Sequence, residues 1–227
     1  MKTILLLHGA IGAADQLEPL AAQLRESYTV RMLNFSGHGG TTDNGTFSIP
    51  AFAQEVLAYL DAEGLQQVSI FGYSMGGYVG LYLAKQHPER VEKIVTLATK
   101  FHWDEATATK EAQMLDAEKI AAKVPAFAAA LEKRHAPNDW KMLLNKTKDM
   151  LHAMGANNPL QVADYAAIQT PVTVCLGDAD KMVALDETLA VYKTLPHAKL
   201  AVLPATQHPI EQANILLLAF IIKQFIA

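Results

Sequence analysis

The sequence has few of the features that mark secreted, nucleic-acid-binding or membrane-surface proteins. Cys175 is its single cysteine, so no disulfide can form within the chain. Its 19 Lys and Arg residues are outnumbered by 23 Asp and Glu, and a net charge of −4 offers no broad basic surface for nucleic acid or anionic lipid. The 227 residues are enough for one domain with a full hydrophobic core.

Long apolar runs are also missing. In MKTILLLHGAIG the apolar stretch stops at His8 and Gly9, which makes it shorter than the ~7–15 residues of a signal-peptide core. The run ILLLAFIIKQFIA, from Ile215, is shorter than the ~20 residues that span a bilayer, and it contains Lys223. We therefore expect a cytoplasmic protein with no membrane or nucleic-acid partner, in which the first run is a strand and the last a closing helix.

Short apolar runs alternate with helical patterns along most of the chain. The runs predict strands buried on both faces at residues 3–7, 28–33, 67–71, 91–97, 172–176 and 198–203. The helical patterns lie at residues 15–26, 49–63, 74–86, 185–194 and 210–225, and Asp15 and Ser48 are the expected N-caps of the first two. This alternation predicts an α/β fold: a doubly wound, mostly parallel sheet of about six strands with helices on both faces.

The alternation breaks once, between residues 100 and 168. This segment has helical patterns punctuated by Pro125, Pro137 and Pro159, and it contains no convincing strand. A helical block between two strands of one sheet is an insertion, which we expect to lie over one end of the sheet. The predicted organisation is therefore an α/β core of residues 1–99 and 169–227 with a helical cap insertion of residues 100–168.

A serine between glycines, Gly72-Tyr73-Ser74-Met75-Gly76, stands where an apolar strand gives way to an apolar helix. A tight strand-to-helix turn would lift the serine hydroxyl out at the carboxyl edge of the sheet, and side chains two residues either side would collide with neighbouring elements. The N–H groups at the start of the helix would favour developing negative charge. Ser74 is thus a candidate nucleophile, and a helix-capping serine is the alternative.

A serine nucleophile needs a histidine base and a carboxylate to orient it. Of the eight histidines, only His208, in VLPATQHPIEQ, lies just after the last predicted strand and at the start of the last helix. The loop after the penultimate strand, in VTVCLGDADKMV, carries both Asp178 and Asp180. Either carboxylate could orient His208, and either could be an ordinary turn residue.

The remaining histidines have no metal-ligand spacing, so we expect neither a metal nor a cofactor. His8 and His38 lie in glycine-containing turns and are interpreted as structural. His87 precedes Pro88 and is interpreted as a helix-end residue. Surface or cap positions are expected for His135, His152 and His197.

Five short motifs, in this order, make the sequence resemble the α/β-hydrolase fold family over nearly the whole chain. They are LLLHGA, NFSGHGGT, GYSMGG, TPVTVCLGDAD and HPIE. The chain order Ser, Asp, His is the one this family uses. The resemblance implies a small, capped, esterase- or lipase-like serine hydrolase that cleaves an ester or related acyl bond through an acyl-enzyme.

The resemblance also implies roles for individual residues. Ser74, His208 and Asp180 would form the catalytic triad, with Asp178 as the fallback acid because Asp180 is chosen only by the Gly-x-x-Asp pattern. The backbone N–H groups of Ala10 and Met75 would form the oxyanion hole. Asn34, where many relatives have Asp, leaves one interaction of the second loop in doubt without affecting the triad.

Substrate choice is expected to lie in the cap and at the carboxyl ends of the strands. Lys100, His102 and Trp103, in TLATKFHWDEAT, and Tyr73 beside the serine are the candidate substrate-binding residues. In this hypothesis Lys100 or His102 meets a polar or anionic part of a small acyl substrate, and Trp103 packs against its apolar part. The alternative is that Trp103 anchors the cap and Lys100 is solvated.

Two other functions stay open on the sequence alone. A lyase or carbon–carbon bond hydrolase could use the same triad, as in a lyase of menaquinone synthesis, although Tyr78 stands where the pattern of that enzyme has Arg. A receptor-like protein could bind a ligand with weak or no turnover. For each of these functions, the chain is expected to be a monomer or a homodimer.

Overall fold

The computed structural model describes residues 1–227 and contains one six-stranded sheet in which every strand pair is parallel. The strand order is β2-β1-β3-β4-β5-β6. The strands are β1 (Thr3–Leu7), β2 (Thr29–Leu33), β3 (Val68–Tyr73), β4 (Val91–Leu97), β5 (Val172–Gly177) and β6 (Ala198–Leu203). The predicted parallel sheet is confirmed, and its strand ends shift by no more than two residues.

Helices cover both faces of this sheet. They are α1 (Glu18–Leu24), α2 (Ile49–Ala62), α3 (Met75–Gln86), α4 (Glu105–Gln113), α5 (Ala117–Lys123), α6 (Pro125–His135), α7 (Trp140–Ala156), α8 (Val162–Tyr165), α9 (Leu185–Thr194) and α10 (Ile215–Ile226). Three 3-10 turns accompany them, at Ala14–Leu17, Pro88–Arg90 and Ile210–Gln212. None of the helices combines the length and the apolar character that crossing a membrane requires.

The prediction of burial on both faces is wrong for the edge strands β2 and β6, which are partly buried and expose Arg31 and Lys199. In the inner strands, the alternating direction of side chains explains the continuous apolar runs. Ile4 and Leu6 pack with α1 and α10 in one core cluster, whereas Leu5 and Leu7 pack with α2, α3 and α9 in the other. Each face of the sheet therefore has its own hydrophobic core, and neither face of β1 tolerates polar residues.

The first helix begins differently from the sequence prediction, and Asp15 is not its N-cap. The segment opens with the 3-10 turn Ala14–Leu17, in which the Ala14 N–H donates to Asn34 Oδ1 at 2.7 Å. The Asp15 carboxylate instead pairs with Arg134 at 3.2 Å, because α6 lies beside this turn. The Ser48 N-cap is confirmed, since its Oγ accepts from the Ala51 N–H at 3.1 Å.

Five helices, α4 to α8, follow one another between β4 and β5 with no strand among them. The side chains of Ile120, Leu131, Leu144 and Met150, from α5, α6 and α7, join the core cluster that covers the α3 face of the sheet. The inserted helices are therefore packed onto the rest of the protein through a shared apolar core.

A cluster of three buried histidines joins these inserted helices to the loops after β1 and β2. His135 lies at the end of α6 as a residue of the inserted helices, but it is fully buried and not at the surface. Its Nδ1 accepts from the Gly39 N–H and its Nε2–H donates to Ile11 O, both at 3.0 Å. The His135 ring lies 5.8 Å from that of His38, which lies 5.1 Å from that of His8.

These hydrogen bonds require neutral rings. In His8, Nδ1–H donates to Gly9 O at 2.8 Å while Nε2 accepts from the Phe35 N–H at 3.1 Å. Burial lowers the pKa of His8 from 6.5 to about 4, and it also lowers the pKa values of His38 and His135. In His8 and His135, a protonated ring would have no acceptor nitrogen for the backbone N–H that it now satisfies.

The buried neutral rings are expected to make the protein acid-sensitive. As pH falls below 6.5 the unfolded chain protonates His8, whereas the folded protein keeps it neutral down to about pH 4. The stabilising contribution of neutral His8 is complete above pH 6.5 and is lost as pH falls toward 4. This loss lowers the free energy of unfolding by about 2–3 kcal/mol for His8 alone. Urea unfolding at a series of pH values measures this loss.

A matched pair of variants provides the control for this pH dependence. His135→Gln keeps a donor and an acceptor but cannot be protonated, so the free energy of unfolding should fall less steeply with acid. His152→Gln changes an exposed residue of α7 and should keep the wild-type slope. A wild-type free energy of unfolding that stays constant from pH 6.5 to 4 would contradict the neutral cluster.

Candidate active site

Ser74 occupies a strained turn between β3, in the middle of the sheet, and α3. Its backbone has φ 50° and ψ −116°, a conformation that non-glycine residues adopt only where neighbouring groups hold it. The Ser74 N–H donates to Leu97 O at 2.8 Å, and Thr99 Oγ1 donates to Ser74 O at 3.0 Å. Ser74 occupies the N-cap position of α3, but its side chain makes no capping hydrogen bond.

Glycines allow this turn because backbone lies where a Cβ would be. A Cβ on Gly72 would lie 2.3 Å from Gly77 N, and one on Gly76 would lie 2.3 Å from Leu7 O. Gly80 is less restricted, since its nearest neighbour would be Ile70 Cγ2 at 3.2 Å. The start of α3 can therefore approach the end of β1 only because position 76 has no side chain.

The loops after β5 and β6 bring Asp180 and His208 together. His208 Nδ1 lies 2.9 Å from Asp180 Oδ2, and Asp180 Oδ1 accepts from the N–H groups of Met182 at 2.8 Å and Val183 at 2.9 Å. Burial alone would disfavour the charged carboxyl, but the hydrogen bond from His208 and the two N–H groups hold the pKa of Asp180 below its usual value. Asp178 is exposed and accepts only from the Thr206 N–H, at 3.3 Å.

Ser74 and His208 line the same cavity, although no hydrogen bond joins their side chains in this structure. Hydrogen bonds between a nucleophile and its base are often long in the absence of substrate. Tyr73 supports the histidine loop, because its hydroxyl donates to His208 O at 3.0 Å and its ring lies 5.7 Å from the imidazole. Burial raises the pKa of the Tyr73 phenol, which keeps it a donor.

The backbone N–H groups of Met75 and Ala10, two residues that line the same cavity, have no acceptor in the protein. Met75 is the first residue of α3, so its N–H has no partner within the helix, and the Ala10 N–H likewise donates no hydrogen bond. The loop carrying Ala10 passes beside the serine, since a Cβ on Gly9 would lie 3.2 Å from Ser74 Cβ.

The cavity beside Ser74 has a volume of about 480 Å³ and a mainly apolar lining. The segment between β4 and β5 supplies most of its hydrophobic residues: Trp103, Met114, Leu115, Ile120, Phe127, Ala130, Met150, Leu151 and Met154. Gln16, Arg134 and Glu211 also line the cavity, and nothing in the sequence singled them out.

The candidate substrate-binding residues have different positions. Tyr73, Lys100 and Trp103 line the cavity, and the Trp103 indole N–H donates to Lys100 O at 3.2 Å. Lys100 is not solvated, because its Nζ donates to Met182 O at 2.6 Å. His102 lies outside the cavity, with an exposed ring that contacts Asp104 at 3.1 Å.

The six-stranded parallel sheet with helices on both faces is consistent with an α/β-hydrolase fold. A family model described as alpha/beta hydrolase fold matches residues 2–169. The chain therefore belongs to the α/β-hydrolase fold family.

Curated relatives match only part of this chain and of themselves. Esterase YbfF of Escherichia coli is 30% identical over 94 residues, which cover 41% of this chain and 37% of that protein. The pimeloyl-[acyl-carrier protein] methyl ester esterase of Klebsiella pneumoniae is 33% identical over 96 residues, which cover 42% of this chain and 36% of that protein. The 2-hydroxymuconate semialdehyde hydrolase of Pseudomonas putida is 36% identical over 100 residues, or 42% and 35%. The matched segment thus spans little more than a third of each relative.

Solved structures share the fold along the whole chain. A hydrolase from Pseudomonas aeruginosa has a TM-score of 0.82 at 19% identity and covers 100% of this chain and 90% of its own. The enol-lactonase from Burkholderia xenovorans has a TM-score of 0.79 at 17% identity, with 99% and 91% covered. At such identities the likeness concerns the fold alone.

The glycines of α3 provide a direct test of the serine turn. Gly76→Ala should lower the free energy of unfolding by about 2–3 kcal/mol, because the added Cβ would overlap the Leu7 backbone, which cannot move away. Gly80→Ala should stay within about 1 kcal/mol of wild type, since only the Ile70 side chain has to shift and alanine favours the helix. Urea unfolding of both variants measures the difference, and equal effects would argue against the close approach at position 76.

Proposed function

We propose that this protein is a serine hydrolase that cleaves an ester or related acyl bond of a small molecule through an acyl-enzyme on Ser74. The observation that carries the proposal is the 2.9 Å contact between His208 Nδ1 and the buried Asp180 carboxylate, on the cavity that also holds the strained Ser74. Membership of the α/β-hydrolase fold family supports it, as do two partial relatives that are esterases by name.

Acylation in this mechanism begins when Ser74 Oγ attacks the substrate carbonyl and transfers its proton to Nε2 of neutral His208. Asp180 holds the Nδ1–H tautomer and stabilises the imidazolium. The negative oxygen of the tetrahedral intermediate accepts from the N–H groups of Ala10 and Met75, each worth about 3–4 kcal/mol in the transition state. His208 then returns the proton to the departing alcohol as the carbon–oxygen bond breaks.

Deacylation uses the same groups with water as the nucleophile. His208 Nε2 takes a proton from water, whose oxygen attacks the acyl carbon, and the two N–H groups again hold the negative oxygen. Collapse of this intermediate releases the acid and returns the proton to Ser74 Oγ. The cycle needs no electron acceptor and no group beyond the substrate and water.

The shape of the cavity favours substrates with an apolar acyl or alkyl part. The wall formed by Met150, Met154 and their neighbours on the inserted helices is apolar, and Trp103 and Tyr73 border the cavity beside the catalytic groups. Burial of this substrate part would supply binding energy of about 25 cal/mol per Å² of apolar surface removed from water. The partner of the site is thus a small acyl compound.

Labelling with a serine-directed phosphonate tests this proposal. The wild-type protein should take up one adduct on Ser74, and Ser74→Ala should take up none and lose ester hydrolysis by at least about 10⁴-fold. Mass spectrometry of peptides locates the adduct, and a panel of esters measures turnover.

A folded wild-type protein without label or turnover would be a ligand-binding protein instead. A product formed without oxygen from heavy-oxygen water would indicate a lyase.

Two neighbouring aspartates allow a matched test of the acid. Asp180→Asn should lower kcat by about 10⁴-fold, because an amide at this position favours the wrong imidazole tautomer. Asp178→Asn should change kcat by less than about 3-fold, since its exposed carboxylate accepts only from a backbone N–H. Steady-state kinetics with one activated ester compares the two, and a larger loss for Asp178→Asn would contradict the assignment.

A further inference from the structure

Lys100, at the carboxyl end of β4, is enclosed by groups of its own protein. Its Nζ lies 2.6 Å from Met182 O and 3.6 Å from carboxylate oxygens of both Glu111, on α4, and Glu187, on α9. The side chains of the three charged residues are only 16%, 7% and 11% exposed. One cation between two carboxylates leaves the group net negative, which disfavours an anionic substrate there.

Glu187 ties the β4 loop to the Asp180 loop. Its Oε2 accepts from the N–H groups of Phe101 at 3.0 Å and His102 at 2.9 Å, and its Oε1 accepts from the Ala184 N–H at 2.9 Å. Together with the bond from Lys100 to Met182 O, these contacts connect the β4 loop to the Asp180 loop at Lys100 and at the two residues that follow it. The position of the residues after Asp180 therefore depends on the β4 loop.

The bond from Lys100 reaches Asp180 through a single peptide group. The Met182 carbonyl, which accepts from Lys100, belongs to the same planar peptide as the Val183 N–H, which donates to Asp180 Oδ1 at 2.9 Å. A cation on the carbonyl oxygen fixes the orientation of that plane and polarises its N–H toward the carboxylate. Asp180 Oδ2, in turn, holds His208 Nδ1.

We propose that Lys100 is a positioning residue: it holds the Met182–Val183 peptide against Asp180 and thereby orients the Asp180–His208 pair. This inference rests on the proposed function and differs from the expectation that Lys100 contacts an anionic part of the substrate. A positioning role predicts a loss in kcat that is equal for all substrates. A substrate contact predicts a higher KM for acidic esters alone.

The test uses Lys100→Met and the charge-balanced double variant Lys100→Met with Glu111→Gln, which avoids an excess buried carboxylate if the single variant folds poorly. We expect kcat to fall by about 10-fold or more in both, with KM within about 3-fold of wild type for neutral and acidic esters alike. The control is Lys85→Met, which removes a 2.7 Å ion pair with Asp164, changes no residue that lines the cavity, and should leave kcat unchanged.

Proton NMR of the His208 Nδ1–H provides a readout that does not depend on turnover. Loss of Lys100 should shift or broaden this downfield resonance, and Lys85→Met should leave it as in wild type. A KM increase confined to acidic esters, or an unchanged kcat and resonance in both Lys100 variants, would overturn the proposal. If wild-type protein shows no phosphonate label or turnover, the proposed function fails by itself, and the resonance still decides the role of Lys100.

Discussion

The backbone conformation of Ser74 is the constraint on which the rest of the site depends. A non-glycine residue at positive φ is held here by Leu97 O and the Thr99 hydroxyl, and by an α3 that approaches β1 because Gly76 has no Cβ. The same turn places Ser74 and Met75 on the cavity, at the edge where the loops after β5 and β6 also lie.

The candidate catalytic groups and the apolar wall come from different parts of the chain. Ser74, Asp180 and His208 all follow strands of the sheet, whereas the inserted helices line the apolar cavity and are joined to the core through the His135 hydrogen bonds. Changes in the inserted helices can therefore alter the cavity without moving the strands that carry the acid and the base. This separation explains how one fold supports many substrates.

Much of this fold could be predicted from sequence, because the strands are short apolar runs and the helices between them have a local apolar period. The predictions failed where a contact from far along the chain decides the structure. Asp15 reads as an N-cap, but Asn34 supplies the first hydrogen bond and Arg134 takes the carboxylate. His135 was expected at a surface or cap position, yet the loops after β1 and β2 bury it.

By itself the sequence determined the order of strands and helices, the serine turn with its obligatory glycines, and the loops that carry His208 and the two candidate aspartates. These features follow from spacing within a few residues. Only the tertiary structure decided that Asp180 rather than Asp178 faces His208, and that Lys100 lies between two carboxylates. The physical reason is that such pairings depend on which loops meet at one edge of the sheet, and the spacing of residues along the chain does not specify which loops those are.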